Sequence, residues 1–361
     1  MDFFNLKIRE VIKETKHAKS FLLDVPTNLA GSFSWQPGQH VNIRVKLGDK
    51  SYIRSYSLSN CPQTLGLRLT IKSVELGAVS NFLLKNVKAG QYLEVSKPGG
   101  LFNLPKSFIN HATTQQDLNA PLHHIFFAAG SGITPIFSMI TALLMAKQTP
   151  RSKVYLIYSN RNQRNTIFAD KLQVLVERFP DRFTLMLCHS KPSWFGRKHL
   201  WHKGRVTNTV VQSVLGELTQ AKQAVYYLCG PNGFMETVHQ ALQQADIDKQ
   251  FILQESFGAG GKNNTAKASA SQAAELSVEL SGQQQTVNVE ANESLLDAML
   301  RANIDAPFSC EEGVCGSCQC QLISGEVAMV ENLFLTDEEQ AQGSILSCQA
   351  IAQSTQVKIR L

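Results

Sequence analysis

Short apolar runs recur through the first third of the chain and are separated by Gly, Asn and Pro. Runs such as SFLLDV, HVNIRVKL, LGLRLTIKSV and QYLEV have the length of β-strands, and the residues between them favour turns. Many short strands with turn signals between them are typical of an antiparallel barrel. The pattern therefore predicts an antiparallel β-barrel domain over residues 1–107.

The hydrophobic period changes from about His123. Apolar runs typical of buried strands follow, namely HIFFAAG, KVYLIYS, FTLMLCHS, AVYYLCG and FILQES. Helical patterns such as ITPIFSMITALLMAK, IFADKLQVLVERF and GFMETVHQALQQA lie between them. Strands that alternate with helices predict a parallel α/β sheet, here over residues 108–257.

A stretch of small and polar residues, GAGGKNNTAKASASQAA, begins at Gly258 and predicts a flexible linker over residues 258–272. It sets apart a third domain over residues 273–361. In this tail LSVEL and QTVNVE indicate a hairpin, and ESLLDAMLRANI indicates a helix opened by acidic residues. The sequence therefore predicts a multidomain protein.

Charge divides the chain in the same place. Residues 273–361 hold thirteen Asp and Glu against three Lys and Arg, a balance of −10 within a total of +6. The basic residues of the body are scattered rather than arranged in a run, so we expect no nucleic-acid partner. The start of the chain lacks the apolar core of a signal peptide, and no run has the length of a membrane span. We expect a cytoplasmic protein, and nothing in the sequence requires more than a monomer.

Four of the eight cysteines lie in the stretch SCEEGVCGSCQC, from Ser309 to Cys320. Three of them have the spacing C-x4-C-x2-C, and a fourth candidate follows in ILSCQA after 29 intervening residues. This is the spacing of plant-type 2Fe–2S ligands, whose soft thiolates suit iron. The predicted metal ligands are Cys310, Cys315, Cys318 and Cys348.

The residues around these cysteines agree with an iron–sulfur loop. Gly313 and Gly316 permit backbone conformations that other residues avoid and bring amide N–H groups near the sulfurs. A zinc site would need two C-x2-C pairs or nearby histidines, and no histidine follows His239. Cys320 would share a strand face with Cys318, and we interpret it as a buried structural cysteine. With its hairpin and helix, the tail resembles the plant-type ferredoxins, which have a β-grasp fold.

The motif R-x-Y-S lies in the predicted strand YIRSYSLSN, at Arg54, Tyr56 and Ser57. Strand alternation puts the Arg54 guanidinium and the Tyr56 phenol on one face of the strand and the Ser57 hydroxyl on the other. The guanidinium suits a phosphate, and the phenol ring suits a flat heterocycle. An exposed Arg and Tyr on a strand is the alternative interpretation. Further along, GAVSNFLLKNV puts Gly77 and Ser80 at a helix start, whose N–H groups suit a pyrophosphate, although Ser80 could equally be an ordinary N-cap.

Taken in order, R-x-Y-S and G-x-V-S resemble the FAD-binding barrel of the ferredoxin–NADP reductase superfamily. The resemblance implies FAD contacts at Arg54, Tyr56, Ser57, Gly77, Val79 and Ser80. The stretch SKPGGLF, with Gly99 and Gly100, falls at the family's turn between its two domains.

Two loops of the α/β part extend the resemblance. AAGSGITPIFSMI has the family's G-x-G-x-T-P, in which Pro135 stands where a Rossmann loop has its last glycine. YYLCGPNGFM has the family's C-G-P directly after a strand. The implied nicotinamide contacts are Gly130, Gly132, Thr134, Cys229, Gly230 and Pro231.

The stretch QESFG puts Glu255 and Phe257 where reductases of this kind bring a last strand toward the flavin. The resemblance thus implies Ser57, Cys229 and Glu255 as catalytic residues, with a positional rather than nucleophilic role for the thiol. Plant relatives end with an aromatic residue at this point, whereas this chain continues beyond Phe257, so the group that covers the flavin stays open.

Coenzyme choice depends on the strand ends that would face the adenosine ribose. YSNRN supplies Arg161, and CHSKPSW supplies Ser190 and Lys191, which resemble a Ser-Arg pair that relatives use for the 2′-phosphate. Neither stretch has an acidic residue to pair with a free ribose diol. The sequence favours NADPH over NADH, with a solvated surface charge as the alternative interpretation of Lys191.

The order of the three parts resembles the reductase components of multicomponent oxygenases and desaturases and the hybrid-cluster-protein reductase. It implies an electron path from NADPH or NADH through FAD and a 2Fe–2S cluster to a separate acceptor protein, such as an oxygenase, desaturase or hybrid-cluster protein. Two alternatives stay open: a self-sufficient flavin reductase or diaphorase, and a redox-sensing regulator, which would not need the two nicotinamide loops. We interpret FGRKHLWHKGR, with Trp194 and Trp201, as an exposed loop rather than a partner surface.

Overall fold

The computed structural model forms two compact units, Asp2–Glu255 and Ser256–Leu361. The residues described are 2–48, 50–104, 123–146, 152–191, 201–217, 224–255, 257, 273–280, 282–308, 311, 313, 316–332, 334–335 and 337–361. The predicted linker over residues 258–272, and Cys310 and Cys315, lie outside them.

The first unit begins with the antiparallel sheet that the apolar runs predicted. Its strands and helix are β1 (Phe3–Thr15), β2 (Ala18–Asp24), β3 (His40–Leu47), β4 (Lys50–Ser57), β5 (Leu67–Lys72), α1 (Ala78–Asn86) and β6 (Tyr92–Ser96). The strand order is β4-β3-β6-β1-β2-β5. An antiparallel bridge between Leu58, directly after β4, and Leu69, within β5, joins the two outer strands, so the sheet closes on a shared apolar core.

The rest of the first unit is a parallel sheet of six strands in the order β10-β9-β8-β7-β11-β12. The elements are β7 (His123–Ala129), α2 (Ile133–Met145), β8 (Lys153–Asn160), α3 (Ala169–Arg178), β9 (Phe183–His189), β10 (Trp201–Lys203), α4 (Asn208–Glu217), β11 (Ala224–Cys229), α5 (Asn232–Gln244) and β12 (Ile252–Glu255). The interpretation of Trp201 as part of an exposed loop is wrong, because Trp201–Lys203 pairs in parallel with β9 as an edge strand. Trp194 lies outside the described residues.

The barrel and the parallel sheet are joined by charged side chains that reach across. Lys171 on α3 contacts the Glu14 carboxylate of β1 at 2.9 Å. The guanidinium of Arg68 on β5 lies 5.6 Å from the ring centre of Phe137 and 5.4 Å from that of Phe168. A cation held over two aromatic faces is attracted by both rings. These contacts fix the two halves relative to each other, and the site described below lies between them.

The second unit contains a mixed sheet in the order β14-β13-β19-β15-β17 and a two-stranded sheet of β16 and β18. Its elements are β13 (Ala274–Leu280), β14 (Gln283–Val289), α6 (Leu295–Arg301), β15 (Gln319–Ser324), β16 (Val327–Met329), α7 (Asp337–Ala341), β17 (Ser344–Leu346), β18 (Ala350–Ala352) and β19 (Gln356–Arg360). The predicted hairpin is β13–β14. The predicted helix is α6, and its N-cap is Ser294, whose Oγ accepts the Asp297 N–H at 3.0 Å.

Candidate functional site

The R-x-Y-S motif lies at the end of β4, on one edge of the barrel sheet. Arg54 is exposed, Tyr56 is half-buried and Ser57 is buried. Burial raises the pKa of the Tyr56 phenol well above its ordinary value, and the nearby charge of Arg54 acts in the opposite direction. The phenol therefore stays protonated at neutral pH, as an uncharged ring surface suited to a flat heterocycle.

The G-x-V-S segment begins helix α1, with Gly77 as the N-cap. Ser80 is not the cap, because its Oγ accepts the N–H of Val74 at 3.2 Å, outside the helix. Glycine has no side chain to cap the first turn, so the helix start presents backbone N–H groups that suit an anion. Val79 is buried in the barrel core and holds this turn in place.

The G-x-G-x-T-P loop turns directly from β7 into α2. Gly130 has a φ of +57°, and its carbonyl accepts the hydroxyl of the buried Tyr158 at 2.9 Å. Gly132 packs against the end of β11 so closely that a Cβ would overlap the Cys229 carbonyl and lie 2.9 Å from the Gly230 nitrogen. The Thr134 hydroxyl donates to the Ser131 carbonyl within the loop, at 3.0 Å.

The C-G-P motif continues this arrangement. Cys229 is the last residue of β11, and Pro231 is the N-cap of α5. The loop after β7 and the loop after β11 therefore meet at neighbouring strands of the sheet, with Gly132 against Cys229. Carboxyl ends of adjacent parallel strands are where open α/β sheets bind ligands.

The three predicted catalytic residues come together where the barrel meets the parallel sheet. The Ser57 Oγ donates to Glu255 Oε2 at 3.2 Å, although the two residues are 198 positions apart. Cys229 and Glu255 are paired in the register of β11 and β12. Burial and, after it, the Glu255 charge raise the pKa of the Cys229 thiol well above its ordinary value. The thiol therefore stays protonated, in agreement with a positional role.

Two residues near this site did not emerge from the sequence. His40 is buried, and its Nδ1 lies 3.7 Å from Glu255 Oε1. Lys72 ends β5, and its Nζ lies 3.1 Å from where a Cβ of Gly130 would be, in a setting whose burial lowers its pKa. Each is a polar residue at one end of a strand, in the runs HVNIRVKL and LTIKSV, and that position is the only signal of them that the sequence contains.

The proposed phosphate-selecting residues lie at the carboxyl ends of β8 and β9. The Ser190 N–H donates to the Asn160 carbonyl at 3.1 Å, and the Lys191 N–H donates to the Arg161 carbonyl at 2.8 Å. These backbone bonds bring Arg161, Ser190 and Lys191 together as an exposed group with two cations and a hydroxyl. Such a group suits a phosphate.

The second unit brings two of the four predicted iron ligands together. The Sγ atoms of Cys318 and Cys348 are 3.1 Å apart, and both residues are buried. No third candidate metal ligand joins them among the described residues, and the other two predicted ligands lie outside those residues. Gln349 follows the second thiol, and its Nε2 donates to the Glu311 carbonyl at 2.8 Å and lies 3.7 Å from the Cys348 sulfur. Converging thiols with an amide N–H beside a sulfur fit an iron–sulfur cluster.

The glycines of the cysteine loop have the predicted backbone conformation. Gly313 and Gly316 both have a φ of +71°. A Cβ at Gly316 would overlap the ring of Phe334, so only glycine fits between the loop and that ring. Cys320 is buried, and burial, with the neighbouring Cys318, raises the pKa of its thiol to about 12. A protonated, buried thiol agrees with a structural role.

Phe257 is half-buried and belongs to the second unit, whereas Glu255 ends the first. The contact of Phe257 with the flavin therefore stays a prediction. No helix in the described part of the chain is long and apolar enough to cross a membrane.

The chain matches three family models in this order. Residues 5–104 match an oxidoreductase FAD-binding domain, residues 126–240 match an oxidoreductase NAD-binding domain, and residues 278–353 match a 2Fe–2S iron–sulfur cluster binding domain. Fold and site thus define an oxidoreductase of the ferredoxin reductase type with FAD, NAD(P)H and a 2Fe–2S cluster as cofactors.

The chain belongs to the ferredoxin–NADP reductase superfamily, among the reductases that carry a C-terminal 2Fe–2S ferredoxin domain. It is 33% identical, over 98% of its length and 95% of the relative's, to the ferredoxin reductase component of 3-ketosteroid-9-alpha-monooxygenase from Rhodococcus rhodochrous. It is 29% identical, over 99% and 97%, to one of the subunits of 1,2-phenylacetyl-CoA epoxidase from Escherichia coli K12.

A solved structure shows the same modular order. Phthalate dioxygenase reductase, described as a modular structure for electron transfer from pyridine nucleotides to 2Fe–2S, is similar with a TM-score of 0.59 and 26% identity, over 99% of this chain and 98% of that one. The expected fold class and electron path, from NAD(P)H through FAD and the cluster to a separate acceptor, are thereby confirmed.

Proposed function

We propose that the acceptor protein is the terminal component of an oxygenase system, and that this chain supplies it with single electrons taken from NADPH. The observation that supports electron entry is the buried contact of Ser57 with Glu255 beside Cys229, where the barrel and the nicotinamide loops meet. The choice of NADPH is supported by the exposed group at the ends of β8 and β9, with Lys191 held beside Arg161. The acceptor class is supported by the relatives, which are a reductase component of a steroid monooxygenase and a subunit of an epoxidase.

When bound, FAD would supply hydride acceptance from the nicotinamide and a 2Fe–2S cluster would supply one-electron transfer. The chain's own residues bind and orient. Arg54, Tyr56 and the start of α1 at Gly77, Val79 and Ser80 hold the flavin nucleotide. Gly130, Gly132, Thr134, Gly230 and Pro231 give the nicotinamide close access to the backbone. Ser57, Cys229 and Glu255, which lie together where the barrel meets the parallel sheet, would orient the flavin and the nicotinamide for hydride transfer.

Anaerobic titrations with NADPH and, separately, with NADH test the electron path. We expect flavin bleaching at the first additions, followed by the rhombic electron paramagnetic resonance signal of a reduced 2Fe–2S cluster. Flavin bleaching without a cluster signal in iron-replete protein would instead indicate that the chain is a self-sufficient flavin reductase or diaphorase. Absence of bleaching by either nucleotide would contradict the enzyme and favour a sensor.

The acceptor class is tested by substituting this chain for its relative in the Escherichia coli phenylacetyl-CoA epoxidase and in the Rhodococcus ketosteroid monooxygenase. NADPH-dependent product formation by either system would support an oxygenase acceptor. If neither forms product while the chain reduces cytochrome c rapidly, the oxygenase assignment is wrong, and a desaturase or hybrid-cluster protein becomes the acceptor to test.

We expect Lys191→Ala to raise the KM for NADPH by about tenfold, because one charge-assisted contact to the 2′-phosphate is lost. The KM for NADH should stay unchanged, since that coenzyme has no such phosphate. Steady-state cytochrome c reduction with each coenzyme measures both values. Lys153→Ala is the matched control, because Lys153 is an exposed lysine at the opposite end of β8. An equal rise for both coenzymes would show that Lys191 does not select phosphate.

A further inference from the structure

We propose that His40 is a positioning residue that holds the Glu255 carboxylate in place against Ser57. The inference rests on the proposed catalytic role of Glu255. His40 Nδ1 lies 3.7 Å from Glu255 Oε1, while Ser57 Oγ lies 3.2 Å from Glu255 Oε2. The two carboxylate oxygens thus face two different barrel residues.

The backbone of His40 is held on both sides. In the register of β3 and β4, His40 is paired with Ser57, so the two contacts to Glu255 come from neighbouring positions of one antiparallel pair. On its other side His40 exchanges two backbone hydrogen bonds with Gly99, each of 2.9 Å. A residue whose backbone is paired on both sides, with β4 on one side and through an isolated bridge on the other, has little freedom to shift, so its side chain can hold a partner in a fixed position.

The imidazole is enclosed at the junction of the two halves. His40 is 4% exposed and Glu255 is 2% exposed. A Cβ at Gly100, whose φ is +108°, would lie 2.7 Å from His40 Nδ1, so the glycine makes room for the ring. Within the described part of the chain, Nδ1 has no hydrogen-bond partner at ordinary length, and the carboxylate is the acceptor that it faces. A buried polar nitrogen beside a buried carboxylate is best satisfied by donating toward it.

A contact to each carboxylate oxygen is important for the orientation of Glu255, because this residue is the last of β12 and of the first unit. Its backbone is paired with Cys229, and its two carboxylate oxygens face different groups. An N–H of His40 directed toward Oε1 opposes rotation of the carboxylate about its terminal bond and so helps to keep Oε2 on Ser57. Displacement of a group by about 1 Å at a reacting centre can cost about a hundredfold in rate.

The test compares two substitutions by stopped-flow reduction of the flavin in the full-length holoenzyme. We expect His40→Leu, which has no donor, to slow the limiting rate of flavin reduction by NADPH at least about tenfold. The Kd for NADPH should stay unchanged. His40→Asn keeps an N–H near the position of Nδ1 and should restore the rate to within about threefold of wild type. Flavin content and thermal unfolding verify that both variants are folded and loaded.

A double-mutant cycle with Glu255→Ala separates positioning from packing. If His40 acts through Glu255, adding His40→Leu to Glu255→Ala slows flavin reduction no further. Equal rates for His40→Leu and wild type, equal defects in the Asn and Leu variants, or a full additional loss in the double variant would each overturn the proposal. If Glu255→Ala itself leaves the rate unchanged, the proposed role of Glu255 has failed instead.

Two glycines with positive φ provide a further pair. Gly100→Ala would push a methyl group into the imidazole, whereas a Cβ at Gly90, whose φ is +91°, would meet nothing within 4 Å. We expect Gly100→Ala to slow flavin reduction as His40→Leu does and Gly90→Ala, which carries the same kind of backbone strain, to leave it unchanged. A Gly100→Ala variant that folds and reduces its flavin at the wild-type rate would count against the enclosed position of His40.

Discussion

Replacing Cys348 by serine is expected to stop electron delivery to proteins while leaving flavin reduction intact. The Cys348 sulfur lies 3.1 Å from that of Cys318, and a hydroxyl is a far poorer ligand for iron than a thiolate. NADPH should still bleach the flavin of the variant, and ferricyanide, which can accept electrons from a flavin directly, should still be reduced. Reduction of cytochrome c should fall on the order of a hundredfold, because the cluster is not held.

Cys320→Ser is the matched control for that experiment. Cys320 is also buried and lies two residues beyond Cys318, but its raised pKa marks it as a protonated thiol. This variant should keep the electron paramagnetic resonance signal and the cytochrome c activity. Loss of the signal in Cys320→Ser, or its full retention in Cys348→Ser, would overturn the predicted ligand set.

Replacing Gly132 by alanine is expected to damage both stability and flavin reduction by NADPH. A Cβ at Gly132 would overlap the backbone carbonyl of Cys229, and a backbone carbonyl at a strand end cannot rotate aside as a flexible side chain can. Overpacking of this kind costs about 1–3 kcal/mol of the free energy of unfolding. It also separates the two nicotinamide loops, so the rate of flavin reduction should fall at least about tenfold.

Gly233→Ala is the control, since a Cβ there would meet nothing within 4 Å. Thermal unfolding and stopped-flow flavin reduction are measured on both variants, and reduction by dithionite serves as a check that the flavin itself is intact. If Gly132→Ala unfolds at the wild-type temperature and reduces its flavin at the wild-type rate, the close approach of the two loops is required neither for stability nor for flavin reduction.

Much of the site was accessible from sequence because its motifs are local. G-x-G-x-T-P and C-G-P each lie within one short loop, where spacing along the chain decides which backbone groups come together. The strands and helices followed in the same way from periods of 2 and 3.6 residues. An error arose where a local pattern has more than one solution, because Trp201, in a stretch interpreted as a loop, belongs to an edge strand. The alternative interpretation of Ser80 as an N-cap is excluded, because its Oγ accepts the N–H of Val74.

The sequence by itself determined the order of the three parts and the cofactors that they bind, because these follow from motifs made of neighbours along the chain. Tertiary structure alone decided that Ser57 bonds to Glu255 across 198 positions, that His40 faces the other carboxylate oxygen, and that Gly132 packs on Cys229. The physical reason is that such contacts depend on strand order, register and the packing of the barrel on the parallel sheet. These are set by burial summed over the whole unit, and no spacing within a motif encodes them.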